Sequence, residues 1–107
     1  MGTSPVTINI CNDFSDAPGA RYKSDGPKSG EEFFEILLDP KFQEAVDKNT
    51  TLVINFDGTF GYATSFLSES FSLLKKKYGK RRLLDTLQFI SDEDPHIITW
   101  TKNIISE

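Results

Sequence analysis

Cysteine is almost missing from this sequence. Cys11 stands alone, so no disulfide can close within the chain, and with His96 the single histidine a zinc site of sulfur and imidazole ligands is excluded. A reducing cytoplasm is the expected setting, and neither a metal nor a cofactor is expected. No apolar run reaches the roughly 20 residues of a membrane span. The opening MGTSPVTINI lacks the charged-then-apolar layout of a signal peptide, and Val6 stands where myristoylation needs Ser or Thr. Asn49-Thr50-Thr51 fits the glycosylation sequon but reads as a polar turn before a strand. Positive charge is scarce as well: 12 Lys and Arg against 16 Asp and Glu give a net charge of -4. That argues against nucleic acid as the default partner, because phosphate binding is driven by cations that release counterions. Internal repeats and low-complexity segments are absent too.

What is present suits an ordinary globular chain. Its 107 residues predict one domain over 1–107, large enough to bury roughly two thirds of the surface its unfolded form exposes. Nine Phe make the expected core unusually aromatic. The chain is organised around residues 51–79, TLVINFDGTFGYATSFLSESFSLLKKKYG. The apolar run Leu52, Val53, Ile54 and Phe56 stops at Asp57-Gly58, crosses a loop of small and polar residues, and resumes near Phe66. From there Leu67, Phe71, Leu74 and Tyr78 recur at helical spacing. This predicts a buried strand, a loop and a helix that ends at Gly79, with Lys75, Lys76 and Lys77 opposing the negative end of its dipole.

Around that centre, Val6, Ile8 and Ile10 alternate with polar residues as in a half-buried strand. Residues 12–19 are rich in turn formers, and 20–23 are short enough to pair back as an antiparallel strand. Ser29-Gly30-Glu31-Glu32 reads as a capping box, with the Ser29 hydroxyl on the Glu32 amide and the Glu32 carboxylate on the Ser29 amide. A helix carrying Phe33, Phe34, Leu37 and Leu38 should follow. Pro40 leaves residues 41–47 open between a second short helix and a turn. Residues 86–91 read as the last strand, and Asp94-Pro95 as the cap and first position of a closing helix. The sum is an α/β fold with a small mixed β-sheet of about four strands, the last ones parallel, and helices mainly on one face.

Several features fall in one order: Pro18-Gly19-Ala20-Arg21-Tyr22, Asp25-Gly26, Ser29-Gly30-Glu31-Glu32-Phe33, Asn55-Phe56-Asp57-Gly58 and Ser65-Phe66-Leu67-Ser68-Glu69. In them the chain resembles the STAS-like domain family of unknown function, small bacterial and phage-associated proteins related to the sulfate-transporter and anti-sigma-factor-antagonist fold. The resemblance implies a non-enzymatic regulatory domain that binds a partner protein. In the better-understood relatives a helix opens with Asp-Ser-Ser-Gly, whose first Ser is phosphorylated by a histidine-kinase-type ATPase. Thr64 falls on that serine and Ser65 on the second, while Ala63 and Phe66 replace the Asp and Gly. Phosphorylation is thus implied by location alone.

The candidate sites follow. The partner-binding surface is expected to comprise Asp57, Gly58, Phe60, Gly61, Tyr62, Thr64, Ser65 and Glu69, with Phe60 and Tyr62 as exposed anchors. Thr64 or Ser65 is also explained as the N-cap of the main helix. Arg21, with the Ser29 and Gly30 amides and the loop 24–30, forms a candidate anion pocket for a small ligand or nucleotide; the simpler reading is that Arg21 pairs with Asp25 or Glu69 and that Gly26 and Gly30 merely turn the chain. Lys75, Lys76, Lys77, Lys80, Arg81 and Arg82 form the basis of a nucleic-acid alternative, or a solvated helix end. Asp57 and Glu69 lack a nucleophile, a second base or a metal partner, so no catalytic residue is assigned.

Overall fold

The computed structural model describes residues 4–107. Its strands β1 (Val6–Asn9), β2 (Leu52–Asn55) and β3 (Leu87–Ile90) form one sheet in the order β1-β2-β3. All pairing is parallel, with Val6 opposite Leu52 and Leu52 opposite Leu87. The expected mixed sheet of about four strands is thereby corrected to three parallel strands among the described residues. The missing strand is the hairpin partner at 20–23. There the carbonyls of Ala20 and Arg21 accept hydrogen bonds from the amides of Gly30 (2.8 Å) and Glu31 (3.0 Å). Those amides open a helix and have no acceptor inside it, and a segment that caps a helix is not free to join a ladder. A 3-10 turn, Lys23–Asp25, follows instead.

Strand β1 also ends earlier than its alternation predicts. The Asn9 side chain accepts from the Asn12 amide (3.0 Å) and caps a one-turn helix, α1 (Ile10–Asp13), which takes Ile10 out of the strand.

The first crossover runs through α2 (Gly30–Phe33), a π-helical turn (Phe34–Leu38) and α3 (Asp39–Asp47). Ser29 caps α2 through its hydroxyl on the Glu32 amide (3.0 Å), as expected, but Glu32 reaches the Lys28 amide (3.1 Å) and not that of Ser29. Pro40 brings no N–H, and the preceding turn widens so that the Asp39 amide bonds the Phe34 carbonyl five residues back. Residues 41–47 are therefore helical, burying Phe42 and Ala45.

The second crossover is α4 (Thr64–Tyr78) and α5 (Lys80–Thr86), joined at Gly79 (φ 91°). Helix α4 ends where the Lys tract predicts, but the basic residues after Gly79 open α5, which runs straight into β3. Helix α6 (His96–Ser106) closes the chain, with the Asp94 carboxylate accepting the His96 amide (3.2 Å).

Because the strands are laid down in sequential order, both crossovers step the same way, and a common hand puts both sets of helices on one face. The burial pattern agrees. Val6, Ile8, Leu52, Ile54 and Leu87 are buried and Phe89 packs against them, whereas Thr7, Gln88 and Ile90 are exposed on the opposite face. Phe14, Phe33 and Phe66 stack in a triangle with centroids 5.2 to 6.0 Å apart, continued through Tyr62, Phe56, Phe71 and Phe89. Among the described residues no helix is long and apolar enough to cross a membrane.

Candidate functional site

Parallel strands deliver their carboxyl ends to one edge of the sheet, so the loops that follow them are neighbours. Here Asn9, Asn55 and Ile90 lie side by side, and the loops that follow them are tied together. The Asn55 side chain accepts the Asp57 amide (2.9 Å), turning the chain. The Asp57 carboxylate accepts the amides of Asp92 (3.2 Å) and Glu93 (3.0 Å), and the Glu93 carboxylate accepts the Gly58 amide (2.8 Å). On the other flank the Cys11 thiol donates to the Gly58 carbonyl (3.1 Å) and the Phe60 amide to the Asp16 carbonyl (2.8 Å). Gly58 (φ 97°) fits because a Cβ would meet Cys11 at 3.2 Å. Between the β2 and β3 loops lies a cleft of about 230 Å³ lined by Asp57, Phe60, Tyr62, Glu93, Asp94 and Ile97 among others.

The two expected aromatic anchors part company. Phe60 stands 89% exposed at the loop tip. Tyr62 turns inward, with its ring edge-on to Phe56 (5.4 Å) and its hydroxyl donating to the Phe56 carbonyl (2.7 Å). Burial pushes the Tyr62 phenol up to about 12, while an unfolded chain releases that proton near pH 10. Between about pH 10 and about 12 the folded state therefore holds a proton the unfolded state lacks, and stability falls as pH rises. Tyr78, half-buried and donating to the Asp39 carboxylate (2.6 Å), is raised too, by desolvation and by that acidic partner. Tyr62→Phe should cost about 1–2 kcal/mol at neutral pH by orphaning the Phe56 carbonyl. It should also flatten the alkaline fall, with Tyr78 sustaining the remainder; urea midpoints at neutral and alkaline pH check both.

Thr64 and Ser65 open α4, yet neither is its N-cap. That place belongs to Ala63, with no side-chain cap, and the Phe66 amide bonds the Ala63 carbonyl (3.1 Å). The capping expectation is corrected accordingly: a small residue in extended backbone starts the helix because Ser65 faces the Gly19 carbonyl (3.4 Å) and Thr64 faces solvent. The Thr64 hydroxyl makes no hydrogen bond among the described residues.

Of the candidate anion donors, Arg21 and the Gly30 amide are committed within the chain. Gly30 and Glu31 amides hold the 20–21 carbonyls, Ser29 caps Glu32, and Arg21 lies 3.7 Å from Glu69. Asp57 and Glu69 thus serve separate partners. Of the basic run, Lys75 donates to the carbonyls of Ile104 and Glu107, Lys80 to that of Ser106 (3.0 Å), and Lys77 pairs with Asp39 (2.7 Å). These amines close the carboxyl end of α6 and one helix flank. Lys76, Arg81 and Arg82 make no ion pair among the described residues. No group of three or more His, Cys, Asp or Glu there could hold a metal.

Cys11, Asp16 and Glu93 were not marked by the sequence reading as parts of this site. The signal for Glu93 was present, since Asp92-Glu93-Asp94 follows β3 as Asp57 follows β2, and parallel pairing brings such ends together.

A short parallel sheet coated on one face, with its carboxyl-edge loops gathered beside the start of a long helix, defines a small α/β domain. Residues 29–96, from the cap of α2 to the first residue of α6, match the model of the STAS-like domain of unknown function (DUF4325), and the chain belongs to that family. No curated protein and no solved structure matches it.

Proposed function

We propose that this is a non-enzymatic, cytoplasmic regulatory domain of the anti-sigma-factor-antagonist kind, which docks a partner protein through residues 57–69. The observation that carries the reading is Phe60, 89% exposed on a loop that hydrogen bonds tie to both its neighbours. An aromatic ring held out by a fixed loop is the kind of group that anchors an interface. Thr64 supplies the switch. Its exposed hydroxyl sits at the uncapped start of a 15-residue helix, where a phosphoryl group of about -1.5 to -2 charge is favoured by the dipole. The same group would add bulk and charge to the docking surface. The proposed partner is a histidine-kinase-type ATPase, which would transfer the γ-phosphoryl of ATP to the Thr64 oxygen, releasing ADP and the hydroxyl proton.

Incubation with such an ATPase, magnesium and ATP should give a retarded band on a phosphate-affinity gel. Thr64→Ala should abolish that band while changing stability by less than about 0.5 kcal/mol, as at most exposed sites. Labelling that survives in Thr64→Ala moves the modification elsewhere, and full ATPase binding by Phe60→Ser overturns the docking surface.

A further inference from the structure

The strands present no charged side chain on the face of the sheet that the helices leave bare. Its outward positions are Thr7, Val53 and Gln88 in one row across the strands and Asn9, Asn55 and Ile90 in the next. On this face lies a cleft of about 340 Å³, with Val53 and Ile90 in its apolar lining and Thr7, Asn9, Asn55 and Asp13 supplying polar groups. The two asparagines sit opposite each other on neighbouring strands, which puts their backbones about 4.8 Å apart. Each is held in one orientation. The Asn9 side-chain oxygen accepts the Asn12 amide (3.0 Å) and the Asn55 side-chain oxygen accepts the Asp57 amide (2.9 Å). A backbone N–H can only donate, so in both side chains the oxygen is taken and the NH2 group is the free end. Neither NH2 group donates to anything among the described residues. Asp13 is fixed as well: one carboxylate oxygen accepts the Asn9 amide (2.8 Å), and the other has no donor there.

We propose that this cleft binds a neutral polyhydroxy ligand, a sugar ring that presents neighbouring hydroxyls to Asn9, Asn55 and Asp13. A hydroxyl both accepts and donates, so two of them take the Asn9 and Asn55 NH2 groups on their lone pairs and donate in turn to the Asp13 carboxylate, while Val53 and Ile90 meet the C–H face of the ring. Other ligand classes fit less well. An anion would meet Asp13 with no Lys or Arg in the lining to offset it, a cation would meet two amide donors beside the single carboxylate, and an alkyl group would leave the NH2 groups covered and unpaired. The volume lies at the lower end of the range for small-molecule sites. None of these residues belongs to the 57–69 surface, so the site stands apart from the docking role proposed there.

The isotope-labelled full chain should be titrated with glucose, galactose, mannose and ribose and followed by two-dimensional NMR, each sugar to about 50 mM, which saturates a site of about 1 mM dissociation constant. At least one of the four should shift, saturably, the side-chain NH2 signals of Asn9 and Asn55 and the backbone amides of Thr7 and Val53. Asn9→Asp and Asn55→Asp each keep the oxygen that accepts a backbone amide and delete only the NH2 donor. Both should therefore retain the wild-type melting profile and weaken binding of that sugar by about 10-fold or more. Inorganic phosphate and methylammonium at the same concentrations should leave these signals in place. Silence of all four sugars, shifts that map elsewhere, undiminished binding by either variant, or phosphate or methylammonium moving the same signals as strongly overturns the proposal. Should either variant fold poorly, the wild-type shift map alone decides.

Discussion

Gly30→Ala is expected to destabilise the domain by about 3 kcal/mol, the opposite of what local propensity predicts. Glycine inside a helix is ordinarily worth up to about 1 kcal/mol less than alanine, so the substitution would stabilise an isolated α2. In the folded protein a Cβ at position 30 would lie 2.5 Å from the Phe66 carbonyl oxygen and 3.2 Å from the Glu69 Cβ. The first of these is main chain and cannot rotate away. Helix α2 must lift off α4, loosening the Ala20 and Arg21 carbonyls that cap it. Overpacking of this kind costs about 1–3 kcal/mol and sometimes more, which for a chain of this size lowers the melting temperature by about 15 °C. Gly19→Ala, whose added Cβ meets nothing nearer than 4.0 Å, is the control and should change little. A Gly30→Ala midpoint equal to or above wild type would show that the two helices do not approach as described.

Phe66→Ala should be costlier still, at about 3–5 kcal/mol. The Phe66 ring is fully buried and joins the aromatic triangle to the candidate site, with centroids 5.3 Å from Phe33, 6.0 Å from Phe14 and 6.1 Å from Tyr62. Its removal opens a cavity between α2, α4 and the loop, and it deprives Tyr62 of one of its supports. Against a total stability of about 5–15 kcal/mol for a domain, that loss leaves a protein near the edge of folding. Phe60→Ala, at a ring that touches little, should stay within about 0.5 kcal/mol. Guanidinium unfolding of the two variants side by side separates the aromatic that builds the fold from the one proposed as a docking anchor. A Phe66→Ala cost below about 1 kcal/mol would contradict its burial.

What could be read in the sequence was whatever local chemistry decides. The strand-loop-helix at 52–78, the Ser29 cap, the Gly79 stop and the last strand at 87–90 each carry their own signal in spacing and cap residues, and each was found. The antiparallel strand expected at 20–23 does not form, because the fate of that segment is set by α2. Two carbonyls that would serve a hairpin are claimed by helix amides ten residues further on, and periodicity does not record such a competition. Helix α5 was hidden for a related reason: a charged stretch after a positive-φ glycine reads as the end of one helix and equally as the start of another. At the site, the loop after β2 was located from its Asp-Gly and its small residues. The inward turn of Tyr62 and the outward reach of Phe60 depend on the Phe56 carbonyl and on the neighbouring loop, which only the assembled sheet supplies.

The wide turn at Phe34–Leu38 has a bearing on how this helix is kept in phase. Phe33 and Leu38 are both buried although they lie five residues apart, a spacing that in an ordinary α-helix would point them about 140° away from each other. The π-helical turn absorbs one surplus residue, so that Phe42 and Ala45, beyond Pro40, return to the same side as Phe33. It is the slack link of the crossover, the point at which chain length can change by one while every side chain beneath the sheet keeps its address.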